Sequence, residues 1–232
     1  MMKLELCAAS IEAIQIAKEL NFDRIELCQS LEQGGLTPSL GLVDYALAHG
    51  VETHVLIRPR PGGFVYSQGE IELMIRNIIA CGELGAQGVV IGALNKRGEI
   101  DKESISLMIE NAKGMEVTFH RAFDDTANYK KSLDVLIDLG VKRLLSSGLE
   151  VNVERGMENL REMVDYARGR IEIMTGGGVN LSNVSNIVKE VKPDAIHFSG
   201  TKKILLDEGS MFSETILKPD RERIRKVQMA LS

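Results

Sequence analysis

Short runs rich in valine, isoleucine and leucine alternate with longer amphipathic segments along the whole 232-residue chain, eight times over. The strand-like runs lie at 3–7, 24–28, 52–57, 88–92, 115–120, 142–146, 171–175 and 194–198. Segments near 10–20, 39–49, 69–84, 102–112, 129–139, 156–168, 182–190 and 219–230 carry the helical pattern. Strand-helix alternation implies parallel strands joined by right-handed crossovers. Eight such units, in a chain close to the usual length, point to a closed (β/α)8 or TIM barrel. An open doubly wound sheet usually has fewer strands, and no G-x-G-x-x-G follows the first run. No linker or low-complexity tract divides the chain, so residues 1–232 read as one α/β barrel domain.

Local punctuation agrees with this reading. Thr37-Pro38 has the form of an N-cap followed by proline at the first helical position. Leu84-Gly85 and Leu139-Gly140 look like helix ends closed by glycine.

Charge and composition exclude several classes. A formal charge of −5 without basic runs argues against a nucleic-acid partner. No stretch approaches the ~18 apolar residues of a membrane span. The N-terminus, MMKLELCAAS, enters a strand without a signal-peptide core, so a cytoplasmic location is expected. Three cysteines (Cys7, Cys28 and Cys81) form no disulfide framework, and their spacing matches no zinc signature.

Side chains alternate faces along a strand, and parity sorts them here. Leu4, Leu6, Ile25, Leu27, Val55, Ile57, Val117, Phe119, Ile171, Ile173, Ile196 and Phe198 form an apolar set that should face the helices. The opposite set should face the barrel axis: Glu5, Cys7, Glu26, Cys28, His54, Arg58, Thr118, His120, Glu172, His197 and Ser199. Barrel interiors are normally layers of branched apolar side chains, and buried charges are costly unless paired. Such an interior describes a polar site. The tripeptide Glu-Leu-Cys, present at 5–7 and 26–28, would put two carboxylates and two thiols on one wall.

Arg58, His120, Arg121, Asp124, His197 and Ser199 sit at or just past strand C-termini, the rim where barrels of this type build active sites. Long connections follow strands 3 and 8 there and read as lids. Gly176, Gly177 and Gly178 follow strand 7, and Gly200 follows strand 8. Glycines at these places let backbone amides approach an anion. Arg58 and Arg121 add bidentate donors for a carboxylate or phosphate, with His197 and Ser199 beside them.

Plainer readings compete with these. Free cysteines pack well as small hydrophobes, so Cys7 and Cys28 are either core or a two-thiolate site for a soft ion such as Cu(I). Cys81 reads as helix core. Glu5 and Glu26 can serve simply as counter-charges for Arg58 and Arg121, and the three glycines can simply turn the chain.

Four blocks carry a specific resemblance: RIELCQSLEQGGLTPSLG (24–41), IRPRPGGFVYS (57–67), VTFHRAFD (117–124) and the Leu-Leu-Ser-Ser-Gly turn at 144–148. On these the sequence resembles the CutC family of copper homeostasis proteins, which have a (β/α)8 barrel. The resemblance implies a cytoplasmic protein, copper binding as Cu(I) through Cys7 and Cys28, and a homodimer or higher homo-oligomer.

Two functions therefore follow, the first as the assignment that the resemblance favours and the second as its alternative. One is the copper-binding homeostasis role. The other is a lyase- or isomerase-like enzyme acting on a small phosphorylated or carboxylated metabolite. In the second, Arg58, Arg121 and the glycine loop hold the anion, His120 acts as acid or base, Glu5, Glu26 or Glu172 partners it, and Asp124 joins the catalytic set.

Overall fold

Capping side chains and left-handed residues set the element ends. In the computed structural model, which describes residues 2–211 and 213–231, Ser10 caps the first helix by accepting from the Ala13 N–H. Ser67 and Glu70 close a reciprocal capping box at the start of the longest helix, which ends at Gly85 with φ +92°. Gly140 also follows its helix with positive φ, as expected. Thr37 does not cap: Ser39 does, accepting from Leu42 N–H, and Thr37 Oγ1 instead accepts from Arg58 N–H at 2.8 Å. The helix begins two residues after Pro38 because that hydroxyl is already engaged by the neighbouring strand.

The eight strands are β1 (Lys3–Ala8), β2 (Arg24–Leu27), β3 (Thr53–Leu56), β4 (Gly88–Ile91), β5 (Glu116–Phe119), β6 (Arg143–Ser146), β7 (Glu172–Thr175) and β8 (Ala195–Phe198). They pair in sequence order, all parallel, and β8 closes on β1. The helices are α1 (Ile11–Glu19), α2 (Leu40–Ala48), α3 (Gln68–Leu84), α4 (Lys102–Ala112), α5 (Tyr129–Asp138), α6 (Met157–Ala167), α7 (Val184–Val191) and α8 (Arg221–Met229). This is the (β/α)8 barrel that the alternation predicts. Among the described residues, no helix is long and apolar enough to cross a membrane.

The connection after β8 differs from the expected irregular lid. It forms an antiparallel ribbon, β9 (Thr201–Leu206) and β10 (Glu214–Pro219), with Ile204 opposite Ile216. Its turn segment contains Asp207 and Gly209 at positive φ. Thr, Ile and Leu runs on both sides of a polar turn are a hairpin pattern.

The main core lies between barrel and helices. It contains the whole apolar parity set except Leu4, which packs partly buried against it. The barrel interior is mixed. Leu56, Val90, Leu145, Met174 and Ala195 form small apolar patches inside, beside Cys7 and Cys28.

Two arginines that parity could have flagged, Arg24 and Arg143, are fully buried. Arg24 pairs with Glu5. Arg143 holds Glu116 at 2.9 Å and Glu172 at 2.8 Å and donates to Thr118. Glu172 therefore lies at the N-terminal end of its strand, away from the rim, and serves Arg143 and Lys142.

Candidate functional site

Strand register brings the floor of the site together. Cys7 stands opposite Glu26 across the β1–β2 pair, and Glu5 stands opposite His197 across β1–β8. Opposed residues on neighbouring strands point the same way, so all four reach the barrel axis. His197 Nδ1 lies 2.7 Å from Glu5 Oε1, and Arg24 holds the other Glu5 oxygen. The Cys7 thiol lies 3.8 Å from Glu26 Oε1 and 3.8 Å from the Cys28 sulfur. The expected pairing of Glu5 and Glu26 with Arg58 and Arg121 is not formed. Arg24, one turn of the pleat below Glu26 on the same strand, takes Glu5 instead.

These groups push one another's protons in opposite directions. Burial alone would raise Glu5, but its hydrogen bond to His197 and the charges of His197, Arg24 and His54 outweigh it and hold the carboxyl well below its ordinary range. Burial, with the Glu5 charge adding to it, raises Glu26 to about 7. His197 is held well above its ordinary value: burial would lower it, but Glu26, Cys7 and Glu5 together prevail. The contact with Cys28, then burial, raises the Cys7 thiol. Two carboxylates on neighbouring strands thus differ widely in acidity, the arrangement that separates acid and base roles in enzymes.

Above the floor opens a cavity of about 660 Å³ at the C-terminal rim. Cys7, Glu26, His197 and Ser199 reach it from below, and Arg58, His120, Arg121 and Asp124 line its walls. Among the described residues, no lysine lines it.

His120 directly follows β5, and the Ala122 N–H donates to its Nδ1 at 3.1 Å. That bond leaves the ring proton of the neutral imidazole on Nε2, which has no partner. Burial, then the nearby Arg58 charge, lowers its pKa to about 3, so the ring is neutral. Gly92, just past β4, makes room for it: a Cβ there would stand 2.4 Å from His120 Cε1.

Arg58 is a clamp more than a free cation. Its guanidinium donates to the carbonyls of Gln33 (3.0 Å), Gly35 (2.9 Å) and Gly62 (2.9 Å), and it lies over the Phe64 ring. It therefore orders the two loops after β2 and β3, with Nε left unpaired.

Arg121 and Asp124 lie on a short 3-10 turn, Arg121–Asp125, directly after β5. Asp124 accepts from Arg121 Nε, from the Ser146 and Ser147 hydroxyls, and from the Ser147 and Leu149 N–H groups. Its lone pairs are committed, and it fixes both the arginine and the loop after β6. Arg121 also donates to Ser147 Oγ at 2.6 Å, which leaves Nη1 without a partner among the described residues. The Leu-Leu-Ser-Ser-Gly turn, read in the sequence only as part of a resemblance, is the frame that aims Arg121.

The glycine loop lies against that arginine. Gly177 has φ +101°, and a Cβ there would stand 3.0 Å from Arg121 Cζ and 3.1 Å from Ser147 Cβ. The Gly176 N–H is used by Ser146 O, whereas those of Gly177, Gly178 and Val179 have no acceptor among the described residues. Gly200 does not belong to the site. A Cβ there would meet Ile224 of α8 at 2.3 Å, so helix packing requires the glycine, and it does not line the cavity.

The spacing of Cys7 and Cys28 is compatible with two sulfur ligands on one copper ion. Metal–sulfur bonds of roughly 2.3 Å let one ion bridge sulfurs up to about 4.6 Å apart, and the observed 3.8 Å fits. Only Cys7 lines the cavity. Cys28 is 0% exposed, beneath Gly35 and against Leu56 and Val90. Cys81 is core of α3, as expected.

The CutC family model matches residues 2–202. A CutC family protein of Glaesserella parasuis serovar 5 is 42% identical over 209 residues, covering 89% of this chain and 86% of that protein. One from Pasteurella multocida is 38% identical over 227 residues, covering 97% and 93%. A solved CutC structure from Streptococcus agalactiae, a protein proposed to act in copper homeostasis, superposes with a TM-score of 0.80 at 34% identity, covering 85% and 98%.

Proposed function

The chain belongs to the CutC family, and from that premise we propose that it is an enzyme of the lyase or isomerase type that takes a small phosphorylated or carboxylated metabolite into the rim cavity. One observation carries the reading. Arg121 Nη1 and the N–H groups of Gly177 and Gly178 are unpartnered among the described residues, adjacent to one another, and on one cavity wall. Preorganised donors of this kind suit an anion's oxygens, and holding Arg121 in advance removes an entropic cost of binding.

In this reading each residue has a part. Arg121 and the glycine loop hold the anionic group, and Asp124 positions Arg121. His120 Nε2–H donates to a substrate oxygen as a neutral imidazole. Glu26, His197 and Cys7 supply the reactive floor, where Glu5 orients His197. Arg58 shapes the wall and contributes its charge. The absence of a lysine from the described cavity lining disfavours Schiff-base chemistry.

The test is equilibrium binding of inorganic phosphate and of 2-phosphoglycolate, followed by calorimetry. Arg121→Ala should weaken both at least tenfold. Equal affinity for wild type and variant would remove the basis of the proposal.

A second reading has its own support. The 3.8 Å sulfur separation suits a soft ion, and the Streptococcus agalactiae relative is named for copper homeostasis. Under it, copper is cargo held by Cys7 and Cys28. An anaerobic Cu(I) competition titration of wild type beside the Cys7→Ser/Cys28→Ser protein tests it, and unchanged affinity would dismiss it. Family resemblance further supports a cytoplasmic homodimer, checked by sedimentation equilibrium.

A further inference from the structure

The floor of the cavity holds a donor set that neither reading above uses as a metal site. We infer that Cys7, Glu26 and His197 form a three-residue site for a divalent ion of borderline character, such as Zn²⁺, with an open position facing the cavity. Cys28 lies outside this donor set.

Their possible ligand atoms all lie within 4.8 Å of one another. A tetrahedral ion with ordinary bond lengths sets its sulfur and oxygen ligands roughly 3.6 Å apart; here Cys7 Sγ and Glu26 Oε1 are 3.8 Å apart. Three neighbouring strands deliver the set, so its spacing is fixed by sheet hydrogen bonding rather than by loops.

Two further observations point to a ligand. Glu26 is 6% exposed, and its Oε2 has no hydrogen-bond partner. A buried carboxylate oxygen without a partner is costly and calls for something to fill it. Next, Glu5 engages His197 at Nδ1, which leaves Nε2 as the coordinating atom. Metal-bound histidines are commonly oriented by a carboxylate on the other ring nitrogen, and Arg24 fixes that carboxylate in turn.

The donor chemistry selects the ion. One thiolate, one imidazole and one carboxylate suit zinc-like ions, whereas Cu(I) favours sulfur. Three protein ligands below an open cavity are the pattern of a catalytic rather than a structural site. An ion there would share the cavity with the anion that the rim holds, so the inference extends the proposed pocket without depending on it.

Cobalt is the probe. Metal-free, reduced protein titrated anaerobically with Co²⁺ should bind one equivalent and develop a near-ultraviolet sulfur-to-metal charge-transfer band, displaced by Zn²⁺. Cys7→Ser should abolish the band. His197→Gln and Glu26→Gln should each weaken Zn²⁺ at least tenfold, and Glu5→Gln roughly 10- to 100-fold through His197. Cys28→Ser should keep band and stoichiometry.

The band also separates this site from Glu52, His54 and Glu116 at the opposite mouth, which contain no cysteine. No one-to-one binding by the wild type, binding without the band, or equal loss in Cys28→Ser and Cys7→Ser would overturn the inference. Should a ligand variant fail to fold by circular dichroism, slower alkylation of wild-type Cys7 under Zn²⁺ decides, and unchanged alkylation refutes it. Because these readouts use metal alone, their failure would leave the phosphate-binding test standing.

Discussion

Replacing Glu5 by glutamine should unfold much of the margin on which this barrel stands. Glu5 and Arg24 are both wholly buried; Glu5 also meets His197 Nδ1 at 2.7 Å, whereas Arg24 has little besides Glu5. Arg24 keeps one bond to the Met174 sulfur at 3.3 Å, and its Nη1 already lacks a partner. Removing the carboxylate takes from the buried guanidinium its hydrogen-bonded counter-charge, a change that costs about 3–5 kcal/mol in buried pairs. Domains are stable by about 5–15 kcal/mol, so the loss is a large share. With a urea slope of about 3 kcal/mol per molar, the midpoint should fall by roughly 1–1.7 M.

The pH of the assay matters. Glu5 is depressed on folding, so its contribution is present above its ordinary value of 4.5 and is lost as pH falls below it. His197 is raised on folding, so its contribution is present below its ordinary value of 6.5 and is lost as pH rises through the folded value. Urea unfolding near pH 6 captures both. Adding Arg24→Met to Glu5→Gln should recover part of the loss, since the unpaired charge is gone. A Glu5→Gln loss below about 1 kcal/mol, or a double variant as unstable as the sum of the singles, would refute the buried-pair argument.

Gly177→Ala should cost about 1–2 kcal/mol for a left-handed non-glycine residue and reduce phosphate affinity at least tenfold by displacing Arg121, read by urea unfolding and calorimetry. Asp124→Asn should lower stability by about 3 kcal/mol by weakening the charged acceptor of five donor groups, and it should weaken phosphate binding with it; normal binding would mean that Arg121 needs no such anchor. His120 is depressed to about 3 from 6.5, so the folded state resists its protonation. Its share of stability is complete above pH 6.5 and declines as pH falls toward 3, with a slope of up to about 1.4 kcal/mol per pH unit. His120→Gln should flatten that acid limb, and an unchanged limb would contradict a neutral buried imidazole.

The repeat of strand and helix, read with strand parity, was enough to place the apolar set against the helices and Cys7, Glu26, His120 and His197 toward the axis. Period-two alternation is a local property, so it survives in the bare sequence. Arg24 and Arg143 were within reach of the same rule, since they share parity with Glu26 and Leu145. They are easily passed over because a long cation at a strand start usually lies in solvent. The hairpin after β8 carried its own alternation and turn, masked by the expectation of a lid.

Which charge meets which is a different kind of fact. Arg58 was as plausible a partner for Glu5 as Arg24, and only the closed register of β8, β1 and β2 decides between them. The neutrality of His120 depends on an N–H two residues onward and on burial beneath Phe64. Gly177 and Gly200 look alike in sequence, yet one lies beneath Arg121 at the cavity and the other beneath Ile224 of α8. The sequence by itself determined the barrel, the family and the inward-facing residues, because these rest on period and local pattern. Tertiary structure alone decided the ion pairs, the proton positions and the convergence of Cys7, Glu26 and His197, because those depend on distances between strands far apart in the chain.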